Sequence, residues 1–124
     1  MNHFIPLSKA IALTSFYRAH RESILQTLHQ GHDVLPISET FDRAAFDRVL
    51  SQEGCTGLRL YYGMDEDYQV HAVIVGVNAN NEDILPTASS ATHTMAAIDE
   101  EDSFVIDKGL RCPDICGATS VLNP

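Results

Sequence analysis

The chain is short of positive charge. It carries eight lysines and arginines against seventeen aspartates and glutamates, a formal net charge of −9 over 124 residues. The imbalance is local. Residues 1–60 hold six basic and six acidic side chains, whereas residues 61–124 hold two basic and eleven acidic ones. Such a field repels phosphate backbones and anionic lipid, which argues against nucleic-acid and membrane-surface binding and favours a basic protein partner. A long hydrophobic run is also lacking. Ala72–Val77 is the longest strongly apolar stretch, far below the roughly 20 residues a spanning helix needs. The first six residues, Met1 to Pro6, have no basic stretch and do not read as a secretory signal. Cysteine is scarce and odd in number, Cys55, Cys112 and Cys116, which suggests a reducing, cytoplasmic setting. No glycine-rich phosphate loop, Gly-x-Ser-x-Gly or His-Glu-x-x-His is present, so no catalytic motif, cofactor or metal is indicated.

What remains is an ordinary globular mixture, 44% apolar and 20% charged, and long enough for a single domain over 1–124 with its own core. Residues 8–29 predict the main helix, with Leu7-Ser8 as staple and cap and Gly31 as stop. Leu7, Ala10, Leu13, Tyr17, Ile24, Leu25 and Leu28 share one stripe expected to face a core. On the opposite side Ala12, Ser15, Ala19 and Ser23 recur at spacings of three and four beside Phe16. Small residues in a row let another backbone approach, so this face is expected to suit a second copy of the chain. The segment 32–39 reads as a connection. A second helix is predicted from Thr40 or Asp42 to just before Gly54, with Phe41 placed as a staple and Phe46, Val49 and Leu50 as its apolar face.

The apolar period then changes from 3.6 to 2. Residues 57–63 and 68–77 predict a hairpin across Asp65-Glu66-Asp67. A register in which Leu58, Leu60 and Tyr62 oppose Ile74, Ala72 and Val70 makes one face wholly apolar. The second strand is expected to be central, because Val73, Val75 and Val77 are apolar as well. Ile84-Leu85 predicts a short contact, 86–102 a mobile acidic loop, 103–107 a third strand and 108–124 an irregular tail. Helices first and strands after them give an α+β class: two N-terminal helices on a small, mainly antiparallel sheet of three or so strands.

Three groups of residues could carry chemistry. Arg59, Tyr61 and His71 fall on one face of the hairpin, where a cation, a phenol and an imidazole could grip a carboxylate or phosphate. Cys112 and Cys116 form a thiol pair whose spacing suits free thiols, a local disulfide or half of a zinc site. His29 and His32 have a ligand-like spacing, which the end of a helix explains more simply.

The runs Ser38-Glu39-Thr40-Phe41-Asp42-Arg43, Arg59-Leu60-Tyr61-Tyr62-Gly63-Met64-Asp65, Val70 to Asn78 and the Arg111-Cys112-Pro113 tail resemble a family of small bacterial proteins with no assigned activity. The resemblance implies a bacterial cytosolic origin and no catalytic residue. The expected function is a cytosolic protein-interaction module, in its specific form an acidic inhibitor- or immunity-type protein for a basic partner. The alternative is a small enzyme or ligand sensor using the Arg59, Tyr61 and His71 face.

Overall fold

Two units held by different means make up the protein. The computed structural model describes residues 2–86 and 104–124. The elements run α1 (Leu7–His20), a single 3₁₀ turn (Thr27–His29), β1 (Ser38–Thr40), α2 (Arg43–Leu50), β2 (Cys55–Met64), β3 (Val70–Asn78), β4 (Asp83–Ile84) and β5 (Leu110–Cys112). The class is α+β with antiparallel pairing, in a three-stranded sheet of order β2-β3-β4 and a two-stranded ribbon β1-β5. The chain divides into two compact units. One comprises Met1–Thr40, Met64–Val70 and Leu110–Pro124, the other Phe41–Gly63 and His71–Gly109. Among the described residues no helix is long and apolar enough to cross a membrane.

In the second unit α2 lies on the sheet. Asp42, in extended conformation, accepts the Ala45 N–H and starts the helix. The expected staple forms, with the Phe41 and Phe46 rings stacked 5.9 Å apart. Val49 is 1% exposed and packs with Ile74 and Ile106, flanked by Ala45, Phe46, Leu58 and Ala72. Val49, Ile74 and Ile106 each contribute about 1.5–3 kcal/mol by leaving water. A Cβ on Gly76 would meet Cys55 Sγ of β2 at 2.8 Å and, from the helix, Val49 Cγ1 at 3.2 Å. A side chain there would force these neighbours to move.

Leu58, Ala72 and Ile74 share the face under α2, as the two-residue rhythm predicts. The pairing itself is offset from the expected one. Gly57 lies beside Val77, and Gly63 beside Val73 and the His71 carbonyl. An offset of two residues keeps every side chain on its face, so burial selects the face without selecting the pair. β3 is central, between β2 and β4. Of the third strand expected at 103–107, one bridge forms, Ile74 to Ile106, antiparallel and with both hydrogen bonds at 2.8 Å. Residue 103 and the acidic loop, apart from Pro86, lie outside the described residues.

The first unit departs further from expectation. α1 ends at His20, nine residues early. Arg21 caps the helix, its backbone still helical and its N–H on Tyr17 O, while its Nε donates to Leu35 O at 2.8 Å and Glu22 Oε1 accepts the Gly31 N–H. The chain turns back there, and Ile24 and Leu28 are left exposed. At the start, Pro6 takes the cap position in place of Ser8, and its carbonyl accepts the N–H groups of Lys9 and Ala10. Proline's fixed φ presets that entry. The half-buried side of α1 is Ala10, Ile11, Thr14, Tyr17 and Arg18. Leu7 and Leu13, placed in the core stripe by their spacing, are exposed.

The segment 33–37, which reads as a plain connection, is the centre of this unit. Four successive carbonyls are bound. Arg111 Nη2 donates to Asp33 O (3.0 Å), the Val70 N–H to Val34 O (2.8 Å), Arg21 Nε to Leu35 O (2.8 Å) and Tyr17 Oη to Pro36 O (2.7 Å). The Ile37 N–H continues onto Cys112 O at 2.7 Å, where the β1-β5 ribbon begins with Ser38 opposite Cys112. Pro36 cannot donate to a ladder, and here side chains replace the missing strand.

Candidate functional site

The Arg59 and Tyr61 face is built by alternation. Both stand on β2 at odd positions, on the side of the sheet away from α2. After β3 the chain reverses through an asparagine-rich turn. Asn78 Oδ1 accepts the N–H groups of Asn80 (2.9 Å) and Glu82 (3.0 Å), and Asn81 takes a left-handed φ of 62°, which asparagine tolerates better than most residues. The turn delivers Asp83 opposite Val77 in β4.

Arg59 and Tyr61 then reach across β3 to that residue. Arg59 Nη1 pairs with Asp83 Oδ1, and the Tyr61 hydroxyl donates to Asp83 Oδ2. Arg59 Nη2 also donates to Asn81, to its carbonyl oxygen at 3.2 Å and to its side-chain oxygen. The bridge spans the face of β3 that carries Val75, which is buried although it points away from α2. The Tyr61 hydroxyl, and then the Arg59 guanidinium, hold the Asp83 carboxyl below its ordinary value. The arrangement grips a carboxylate, as the residue types imply, and the carboxylate belongs to the chain. His71 stands near the start of β3, half-buried and beside Gly63.

Asp83 and Asn81 are the members that sequence reasoning missed. The signal was present: Asn78 to Asp83 follows a strand directly with turn chemistry, and a tight reversal there returns an acidic residue alongside β3.

The thiol pair is joined. Cys112 and Cys116 form a disulfide with their Cα atoms 4.4 Å apart. Disulfides mark oxidising surroundings, so the cysteines no longer argue for a reducing one. Cys55 is a free thiol that donates weakly to Gly57 O at 3.3 Å. His29 and His32 line a cleft of about 480 Å³ with Tyr68 and Asp67, and the His29 ring lies 5.1 Å from that of Tyr68. Among the described residues, no group of three or more His, Cys, Asp or Glu side chains is placed to hold a metal ion.

α1 presents the remaining candidate. It has no buried residue. Phe16 is 68% and Leu13 57% exposed, Ala12, Ser15 and Ala19 are exposed beside them, and the Phe16 ring stacks on His20 at 4.1 Å. The expected small-residue stripe is shortened. Ser23 lies beyond the helix end, its hydroxyl donating to His20 O. No protein-family model, curated protein or solved structure matches the chain.

Proposed function

We propose that this chain is a protein-interaction module whose docking face is the outward side of α1, centred on Phe16. One observation carries the reading: a fourteen-residue helix with no fully buried residue, half-buried on one side and bare on the other. An isolated helix of that length is marginal in water, and most helices in proteins gain their stability by burying one face. The outward side holds an aromatic ring, a leucine and small residues that admit a close approach. Exposed apolar patches of this kind mark interaction sites. The net charge of −9 favours a basic partner, by speeding encounter more than by strengthening the complex. An acidic inhibitor- or immunity-type protein is the specific form of this reading. The alternative of an enzyme or ligand sensor has less support, because the groups that would grip a ligand hold Asp83 instead.

The test is site-specific photocrosslinking from Ala12 in the native cell. The expected result is one adduct with a second protein, absent in Phe16→Asp and retained in Lys9→Gln. An adduct of two copies of this chain would replace the partner with a homodimer. No adduct, with the protein folded, overturns the reading.

A further inference from the structure

We infer that β2 is a docking edge, and that two copies of the chain join there, strand against strand across a twofold axis. This proposal does not rest on the α1 reading; it starts from backbone parity. In β3, the N–H groups of Ile74 and Asn78 bond Ile106 O and Glu82 O, on the β4 side of the strand. The odd residues of β3 therefore point their backbone groups toward β2. Gly57 lies beside Val77 and Gly63 beside His71, so the odd residues of β2 meet them. The N–H and C=O groups of Leu58, Leu60 and Tyr62 then point outward, on an edge with no strand neighbour among the described residues.

Proteins protect long edges with lysines, prolines, bulges or brevity. This edge is ten residues long and has neither lysine nor proline. From Thr56 to Gly63 there is no proline, and the one charge, Arg59, is tied to Asp83 and Asn81. Its even side chains are left bare, Leu60 at 52% and Tyr62 at 81% exposure, while Leu58 lies under α2.

A second copy fits in an antiparallel register centred on Leu60. Leu60 then exchanges both backbone hydrogen bonds with Leu60 of the second copy, and Leu58 with Tyr62 of the second copy. All of these groups point outward, as such pairs require. Tyr62 of each copy comes beside the other's Leu58 at the rim of its α2 core, and the apolar rows become continuous. Arg59 falls opposite Tyr61 of the second copy, so no like charges meet.

Sedimentation equilibrium and amide hydrogen exchange on the full chain test this together. The expected mass is twice the monomer's, falling to the monomer's in Leu60→Lys and unchanged in Phe16→Asp. Leu58, Leu60 and Tyr62 amides should be protected in the parent and exchange fast in Leu60→Lys, while Arg59 and Tyr61 amides stay protected in both. That persistence shows the variant to be folded. A monomer at every concentration, a dimer that survives Leu60→Lys, or even-numbered amides protected in a monomer would each overturn the proposal.

Discussion

The two compact units use opposite means to hold a chain in place. In the unit formed by 41–63 and 71–109, Val49, Ile74, Val75 and Ile106 are buried, and Cys55 and Val49 crowd Gly76 so that a side chain there would displace them. In the other unit the buried apolar residues are Val34 and Cys112, and α1 contributes none. Arg21, Arg111 and Tyr17 bind successive carbonyls of 33–36 there, and the Cys112–Cys116 disulfide closes the chain beside the ribbon. Apolar burial is non-directional and tolerates shifts of register that keep the face. Donors aimed at particular oxygens do not. The first unit is thus specified by geometry, with little solvent-driven force behind it.

The largest effect that would break this contrast is in the apolar unit. Ile74→Ala removes the side chain at the centre of the α2 contact and is expected to cost about 2–5 kcal/mol, from lost transfer energy plus the cavity left behind. Urea unfolding measures it. A cost within about 0.5 kcal/mol, usual for surface substitutions, would show that this unit is not held by its core.

A smaller loss is expected on the polar side. Arg111→Met keeps an apolar stem and deletes the guanidinium, whose Nη2 serves Asp33 O, Val34 O and Val70 O. Hydrogen bonds from a charged donor are worth about 1.5–3 kcal/mol, and the loss should lie in that range. Amide exchange should localise it, with Val70, which donates to Val34 O, opening faster while Ile74 and Ile106 keep their protection. Uniform acceleration at all three would mean that the units do not differ in the way claimed.

The same contrast explains what could be read from the sequence. α2, the hairpin faces and the Phe41 staple follow from periodicity, because periodicity records which side leaves water. The end of α1 does not. Leu13, Ile24 and Leu28 keep helical spacing, yet the chain leaves the helix at Arg21, whose guanidinium bonds Leu35 O and Asp33. A long-range hydrogen bond to a backbone carbonyl leaves no pattern in the residues that accept it, so 33–37 looks like a linker. The candidate site was half legible for a related reason. Arg59 and Tyr61 announce a carboxylate partner by their chemistry, but that the partner is Asp83 depends on a turn, and turns are local. Reading 78–83 as a tight reversal would have found it.

The most delicate comparison uses pH, because the two networks fail at opposite ends of the scale. Asp83 has its carboxyl held down, first by the Tyr61 hydroxyl and then by Arg59. A depressed folded-state pKa adds stability above the unfolded value of about 3.9, and that stability disappears as pH falls through the folded value. Tyr17 has its phenol pushed up, mainly by burial against the partial opposition of Arg21. A raised folded-state pKa adds stability below the unfolded value of about 10, which disappears as pH rises through the folded value. Asp83→Asn should therefore flatten part of the acid-side loss and leave the alkaline side alone, and Tyr17→Phe should do the reverse. Urea midpoints for the parent and both variants, taken from pH 2.5 to 11.5, separate the two limbs. If either variant flattened both, the networks would act as one system, and the division of the molecule into an apolar unit and a hydrogen-bonded unit would fail in its energetics.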